Sequence, residues 1–196
     1  MKKLTIILDP AHGEDVPGKQ SPDGKHKEYR WSRNICHDLH PILVAEGYAV
    51  LWTTTEETEP GLTYRKNKAS TLPGENKFLI SLHNNAAGMG VKWMEARGIE
   101  IWTSPGQTKS DEYATIILDE LQETFPSMKF RKDISDGDVD KESKFTVLMG
   151  SGYSAVLLEW LFQDNIEDVK LLMDEDVNYE LCNALVRAID EIEQTL

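Results

Sequence analysis

Two histidines stand where an aliphatic run gives out. Thr5-Ile6-Ile7-Leu8-Asp9-Pro10-Ala11 delivers His12 into a turn, and Lys77-Phe78-Leu79-Ile80-Ser81-Leu82 delivers His83. A carboxylate, Glu28, opens an amphipathic stretch between them. Two imidazoles and one carboxylate are the protein donors of a catalytic zinc site, which keeps its fourth position for water or substrate. Structural zinc sites are usually filled by cysteine, and this chain has two. Spacing alone leaves the trio as one choice among several, because His26, His37, His40 and many acids are also present. His37 and His40 fall on a predicted helix and read as solvent-facing or packing residues. His26, beside Glu28, reads as a solvated loop residue rather than one that orients a substrate. The other candidate is Glu159, at the end of Ala155-Val156-Leu157-Leu158. A carboxylate closing so apolar a strand costs free energy unless it is paired or neutralised, and a raised pKa suits a general base. The competing reading is a strand-end glutamate turned to solvent.

The elements that must position these groups alternate. Pro10 cannot donate to a ladder and Gly13 frees the backbone, so His12 sits where a buried first strand becomes a loop. Ligands bind at that carboxyl edge in open α/β sheets. A turn-rich loop from Gly13 to Lys27 precedes a helix predicted over Glu28 to Glu46, with Trp31, Ile35, Leu39, Ile42 and Leu43 on one face and Gly47 as its stop. Tyr48 to Trp52 reads as a strand, Leu62 to Ala69 as a short helix, and Lys77 to Leu82 as a third strand. Gly98 to Trp102 follows as a strand and Ser110 to Thr124 as a helix. Phe145 to Met149 and Ala155 to Leu158 read as short strands, and Ile166 to Leu196 as one or two helices. The βα order predicts an α/β fold, a single domain with a mostly parallel twisted sheet of about six strands and helices on both faces. The polar stretch Arg131 to Lys144 reads as a long mobile loop, and Ala87 to Arg97 as a loop packed on the body rather than lining a cleft.

Composition narrows the partners. The net charge of −13 repels nucleic acid and anionic membrane surfaces. No apolar run approaches the roughly 20 residues a membrane span needs, and Met1-Lys2-Lys3 leads into a strand rather than a signal core. Cys36 and Cys182 fall in predicted helices and read as reduced, buried thiols. The run from Gly13 to Gly18-Lys19 has the spacing of a phosphate-binding loop. Gln20 in place of Ser or Thr, the acids Glu14 and Asp15, Pro17, and a turn at Ser21 to Gly24 all oppose that reading.

Taken in order, Leu8-Asp9-Pro10-Ala11-His12-Gly13, Glu28, Ile80-Ser81-Leu82-His83-Asn84-Asn85-Ala86, and Leu158-Glu159-Trp160-Leu161-Phe162 with Asn165 resemble the zinc-dependent N-acetylmuramoyl-L-alanine amidases of the amidase-3 type. The resemblance implies one catalytic domain over residues 1–196, one Zn2+ per chain held by His12, Glu28 and His83, and Glu159 as the catalytic acid/base. It implies hydrolysis of the amide between the lactyl group of N-acetylmuramic acid and L-alanine of the peptidoglycan stem peptide; the chain is expected to act as a monomer. Four positions depart from the family pattern: Ala11 and Leu161 where glycine is usual, Thr54 near a usual arginine, and Ala69-Ser70 for an Ala-Asn pair. With no signal segment or wall-binding module recognised, the expected setting is a phage endolysin or wall-remodelling enzyme made in the cytoplasm and acting on the wall after release or export. The rival readings are a zinc peptidase of the stem peptide and a non-catalytic wall-binding domain.

Overall fold

The first strand, β1 (Thr5–Pro10), is buried along its whole length because it has a neighbour on each side and cover on both faces. The computed structural model describes residues 2–135 and 137–196. The other strands are β2 (Ala49–Trp52), β3 (Lys77–Asn85), β4 (Glu100–Thr103), β5 (Lys141–Glu142) and β6 (Ser154–Phe162), in the spatial order β2-β1-β3-β6-β4-β5. β1, β2, β3 and β6 run parallel, and so do β4 and β5, whereas β4 lies antiparallel to β6. The sheet is therefore mixed but mostly parallel, as the sequence predicts.

Five helices join these strands: α1 (Glu28–Ala45), α2 (Leu62–Thr71), α3 (Lys109–Thr124), α4 (Ile166–Leu172) and α5 (Glu175–Gln194). They divide unequally between the faces. Strand side chains alternate, so Ile6 and Leu8 of β1, Phe78, Ile80 and Leu82 of β3, and Val156, Leu158 and Trp160 of β6 share one face. There they meet Trp31, Ile35 and Leu39 of α1, Ile117 and Leu121 of α3, and Leu185 and Ile189 of α5 in one large core. The opposite face shows Ile7, Leu79, Ala155 and Leu157, covered by Ala69 of α2 and by Val147 and Leu148, with the partly buried Leu51, Leu72, Trp102 and Tyr153 packed against them.

Two sequence expectations change. Phe145 to Met149 is not a strand: Thr146–Met149 forms a 3-10 turn that lays Val147 and Leu148 on the smaller core. A short apolar run carries too few residues to reveal its period, and packing decided it. The sixth strand is instead Lys141–Glu142, inside the stretch read as a loop, where Lys141 and Glu142 pair with Trp102 and Thr103. β3 and β6 also run beyond their expected ends to Asn85 and Phe162. Those extensions carry His83 and Glu159, described next. Cys36 and Cys182 are free and buried. Among the described residues no helix is long and apolar enough to cross a membrane.

Candidate metal centre

The polar residues of the thinly covered face fall into place by alternation. Asp9 continues Ile7, Ser81 and His83 continue Leu79, and Glu159 continues Leu157, so all four side chains point to one side at the carboxyl end of the parallel strands. His83 and Glu159 are direct partners in the β3–β6 ladder.

His12 lies just past β1 with φ of 46°, a left-handed conformation that costs a non-glycine residue about 1–2 kcal/mol. Its turn is clamped from two sides. Arg33 of α1 donates to the carbonyls of Ala11 (3.0 Å) and His12 (2.8 Å), and Arg65 of α2 to those of Pro10 (2.5 Å) and His12 (3.1 Å). Arg65 is only 2% exposed and is neutralised by Asp9 (3.0 Å) and Glu59 (2.9 Å). Gly13 follows because the backbone of Thr58 and Glu59 occupies the space a Cβ would need.

Glu28 is the first residue of α1, where the helix dipole favours an anion. Its Oε1 lies 3.1 Å from His83 Nδ1 and 3.4 Å from His12 Nε2, and the two imidazole rings meet edge to face at 5.0 Å. The same oxygen accepts the Asn84 backbone N–H at 3.1 Å, while Oε2 accepts Gln163 Nε2 at 2.7 Å. Burial opposes the charge, but hydrogen bonds from His12 and His83 prevail and hold the carboxyl below the ordinary carboxylate range. Burial lowers the His12 pKa against the pull of Glu28; for His83 burial is again the largest influence, but the hydrogen bond to Glu28 and the negative charges of Glu28, Glu159 and Asp9 together exceed it and raise the pKa. One donor atom from each of His12, Glu28 and His83 falls within a cluster 4.8 Å across. That spacing and that set, two imidazoles and one carboxylate whose second oxygen is already oriented by an amide, suit a divalent metal with an open position.

Glu159 lines the same cleft of about 300 Å³, together with His12, His83, Lys19, Lys144, Phe145 and Val147. Its Oε2 is buried with no hydrogen-bond partner. Burial, aided by the charge of Glu28 and opposed by His83, pushes its pKa up to about 7. The solvent-facing alternative for Glu159 therefore fails. A larger groove, about 880 Å³ between α1 and α5, includes none of the four.

The remaining histidines separate cleanly. His26 is buried rather than solvated: its Nε2 lies 2.8 Å from Asn84 Oδ1, so it steadies the residue whose N–H holds Glu28. His37 and His40 pack on Trp52, whose Nε1 donates to His40 Nδ1 at 2.9 Å. Sequence reasoning missed Arg33, Arg65, Asn84 and Gln163. Asn84 follows His83 directly and could have been noticed. Gln163 meets Glu28 across 135 positions, so no local pattern could betray it. The Ala87 to Arg97 loop packs on the body, through Gly88 and Met94 N–H groups donated to Asp164. Of the phosphate-loop look-alike, Lys19 alone reaches the cleft.

The family model for N-acetylmuramoyl-L-alanine amidase matches residues 6–191. The chain belongs to that family. Among solved structures, the amidase resembles an N-acetylmuramoyl-L-alanine amidase from Clostridium difficile 630 at 23% identity and a TM-score of 0.84, over 97% of each chain. It also resembles the amidase Ami1 of Mycobacterium smegmatis at 17% identity and a TM-score of 0.82, over 100% of this chain and 99% of that one. The catalytic domain of the CD27L endolysin, targeting Clostridia difficile, aligns at 22% identity with a TM-score of 0.68, over 95% of this chain and 98% of that one. At these identities the likenesses establish the fold. No curated protein matches. The amidase keeps a glycine-like backbone at one departure from the family pattern: Leu161, where the β6 ladder slips against β3, has φ of 64°.

Proposed function

We propose that this amidase is a zinc hydrolase that cuts the lactyl–L-alanine amide of peptidoglycan, with His12, Glu28 and His83 as metal ligands and Glu159 as acid/base. The observation that carries the reading is the Glu159 carboxyl in the cleft of the two histidines, whose buried Oε2 has no hydrogen-bond partner among the described residues and so is free to accept and return a proton. When bound, zinc supplies Lewis-acid polarisation of the scissile carbonyl and acidifies a water. Glu159 takes the proton from the attacking water and returns it to the departing alanine nitrogen. Asn84 and Gln163 fix the Glu28 carboxylate, and Arg33 and Arg65 hold the His12 turn, so two of the three donors are positioned before the metal arrives.

Lys19 and Lys144 line the cleft, and neither makes an ion pair among the described residues. In a chain of net charge −13 they favour an anionic ligand beside the scissile bond, as the carboxylates of a stem peptide would be. Residues 1–196 act as one catalytic domain and as a monomer. The setting we infer is cell-wall cleavage, in phage lysis or in wall remodelling, after release or export.

The test is mass spectrometry of purified peptidoglycan after digestion, with and without a chelator. New stem peptides with a free N-terminal alanine, abolished by the chelator and restored by zinc, are expected. Cleavage within the stem peptide would overturn the assignment in favour of a peptidase, and absence of any cleavage in the zinc-loaded enzyme would favour a wall-binding role.

A further inference from the structure

A second group of acids lies away from the cleft, where the end of β4, the first turn of α3 and the segment before β5 meet. Asp111, Asp138 and Asp140 each present an oxygen within a cluster 4.8 Å across. Asp111 is 3% exposed and Asp140 1%, so two of these carboxylates are essentially out of water. Of the other buried acids, Asp9, Glu28, Glu100 and Asp168 face guanidinium, ammonium or imidazole groups, while Asp164 stands alone and accepts the Gly88 N–H, so only here among the described residues do several such carboxylates without a cationic partner crowd together. None of these three acids makes an ion pair among the described residues.

Their neutral partners do not suffice. The Thr103 hydroxyl, fully buried, lies 2.9 Å from Asp111 Oδ1 and 2.6 Å from Asp140 Oδ2, yet it has one proton to donate. Asp111 Oδ2 accepts the Thr108 N–H in a capping box, and Asp138 Oδ2 accepts Gln107 Nε2 at 2.8 Å. The remaining oxygens, Asp138 Oδ1 and Asp140 Oδ1, are buried with no hydrogen-bond donor among the described residues. A buried charge without a partner costs several kcal/mol.

From this crowding of three carboxylates, two of which keep a buried oxygen without a donor among the described residues, we infer that Asp111, Asp138 and Asp140, with the Thr103 hydroxyl, bind a divalent cation of the calcium class that ties the segment before β5 to the start of α3. The donors are all hard oxygens with no imidazole or thiolate, which disfavours zinc. Two of them come from a connecting segment that can adapt its geometry, which favours calcium over magnesium. In the absence of a cation the cluster has one other way to shed charge: burial, reinforced by Asp138, pushes the Asp140 carboxyl up to about 7, so that a proton is shared in its place. The tied segment continues through β5 to Lys144 and Phe145 on the rim of the cleft. The site is independent of the proposed metal centre and of its chemistry.

The experiment is calorimetric titration of the zinc-loaded, full-length protein with calcium at mildly alkaline pH, with thermal unfolding alongside. One calcium per chain is expected, with Kd on the order of 10⁻⁵–10⁻³ M, and at a hundredfold excess over Kd the Tm rises by about 5–10 °C. Asp138→Asn and Asp140→Asn are each expected to weaken calcium binding at least tenfold. Both variants should also unfold at a higher temperature than the wild type without calcium, because they remove repulsion, and at a lower one with it. A merely structural carboxylate would not produce that crossing. Absence of saturable calcium binding in the wild type, with Tm falling as pH rises through 7, would show a shared proton only and overturn the proposal. An equal shift with magnesium would overturn the calcium-class assignment.

Discussion

On one face of the sheet Ile6, Leu8, Phe78, Ile80, Val156 and Leu158 meet the apolar stripes of α1, α3 and α5. On the other face the same strands show Ile7, Leu79 and Leu157 and then, nearer their carboxyl ends, Asp9, Ser81, His83 and Glu159. The first face buries apolar area and supplies most of the stability. The second gives up cover, with one short helix and a 3-10 turn, and so leaves a cleft open to substrate over groups that are expensive to bury. The comparison teaches that stability and chemistry are separated here by the pleat of single strands rather than by domains.

The comparison can be broken most sharply at the proposed ligands. His83→Ala is expected to lose zinc and, with it, hydrolysis by more than about 10³-fold, read by metal analysis of the purified protein and by release of N-terminal alanine. Glu159→Ala keeps zinc and loses about 10²–10⁴-fold in kcat. Full activity in that variant would sink the assigned role. On the helix-covered face, Leu185→Ala costs about 2–5 kcal/mol in denaturant unfolding while the folded fraction keeps its kcat. A large fall in kcat there would show that the faces are not separate.

A pH series sharpens the contrast within the polar face. The Glu159 carboxyl ionises near 4.5 in the unfolded chain and near 7 in the fold, so the folded state holds its proton longer. Stability of the metal-free protein therefore falls as pH rises from about 4.5 to 7 and is flat above, through this group. Glu159→Gln removes that slope. Glu28 has the opposite sign: its carboxyl is held down by the two histidines, so its contribution is present above about 4.5 and is lost as pH falls below that value toward its folded pKa. Urea titrations across this range check both.

Two smaller effects remain. At Leu161 the left-handed backbone reverses the usual order of substitutions, so Leu161→Gly is expected to be more stable than Leu161→Ala by about 1 kcal/mol, although both lose to the buried leucine. Lys144→Ala should raise KM a few-fold on anionic stem peptides with kcat unchanged, and no change in KM would remove Lys144 from substrate contact.

Much of this was legible in the chain because it is local. The aliphatic runs ahead of His12 and His83 mark strands that lead to a polar edge, and an acid after an apolar run marks Glu159, although β6 continues past it to Phe162. The helix from Glu28 announces itself by the period of Trp31, Ile35 and Leu39. The βα alternation then implies a parallel sheet, since parallel neighbours need a crossover between them. Where the reading failed, the local signal was short or silent. Phe145 to Met149 has too few residues to show a period, and two strand residues inside a charged stretch show none at all.

Other features could come only from the folded chain. That His12, Glu28 and His83 converge, rather than His26, His37 or His40, follows from strand order, because β1 and β3 are neighbours and α1 starts beside their ends. That Gln163 and Asn84 orient Glu28, that two arginines grip the His12 turn, and that Asp111 and Asp140 share one hydroxyl proton are contacts between distant segments. Residue type and period belong to the chain and set each element. Distance and burial exist only between elements, and it is distance and burial that single out His12 and His83 from the other histidines and Glu159 from the other acids.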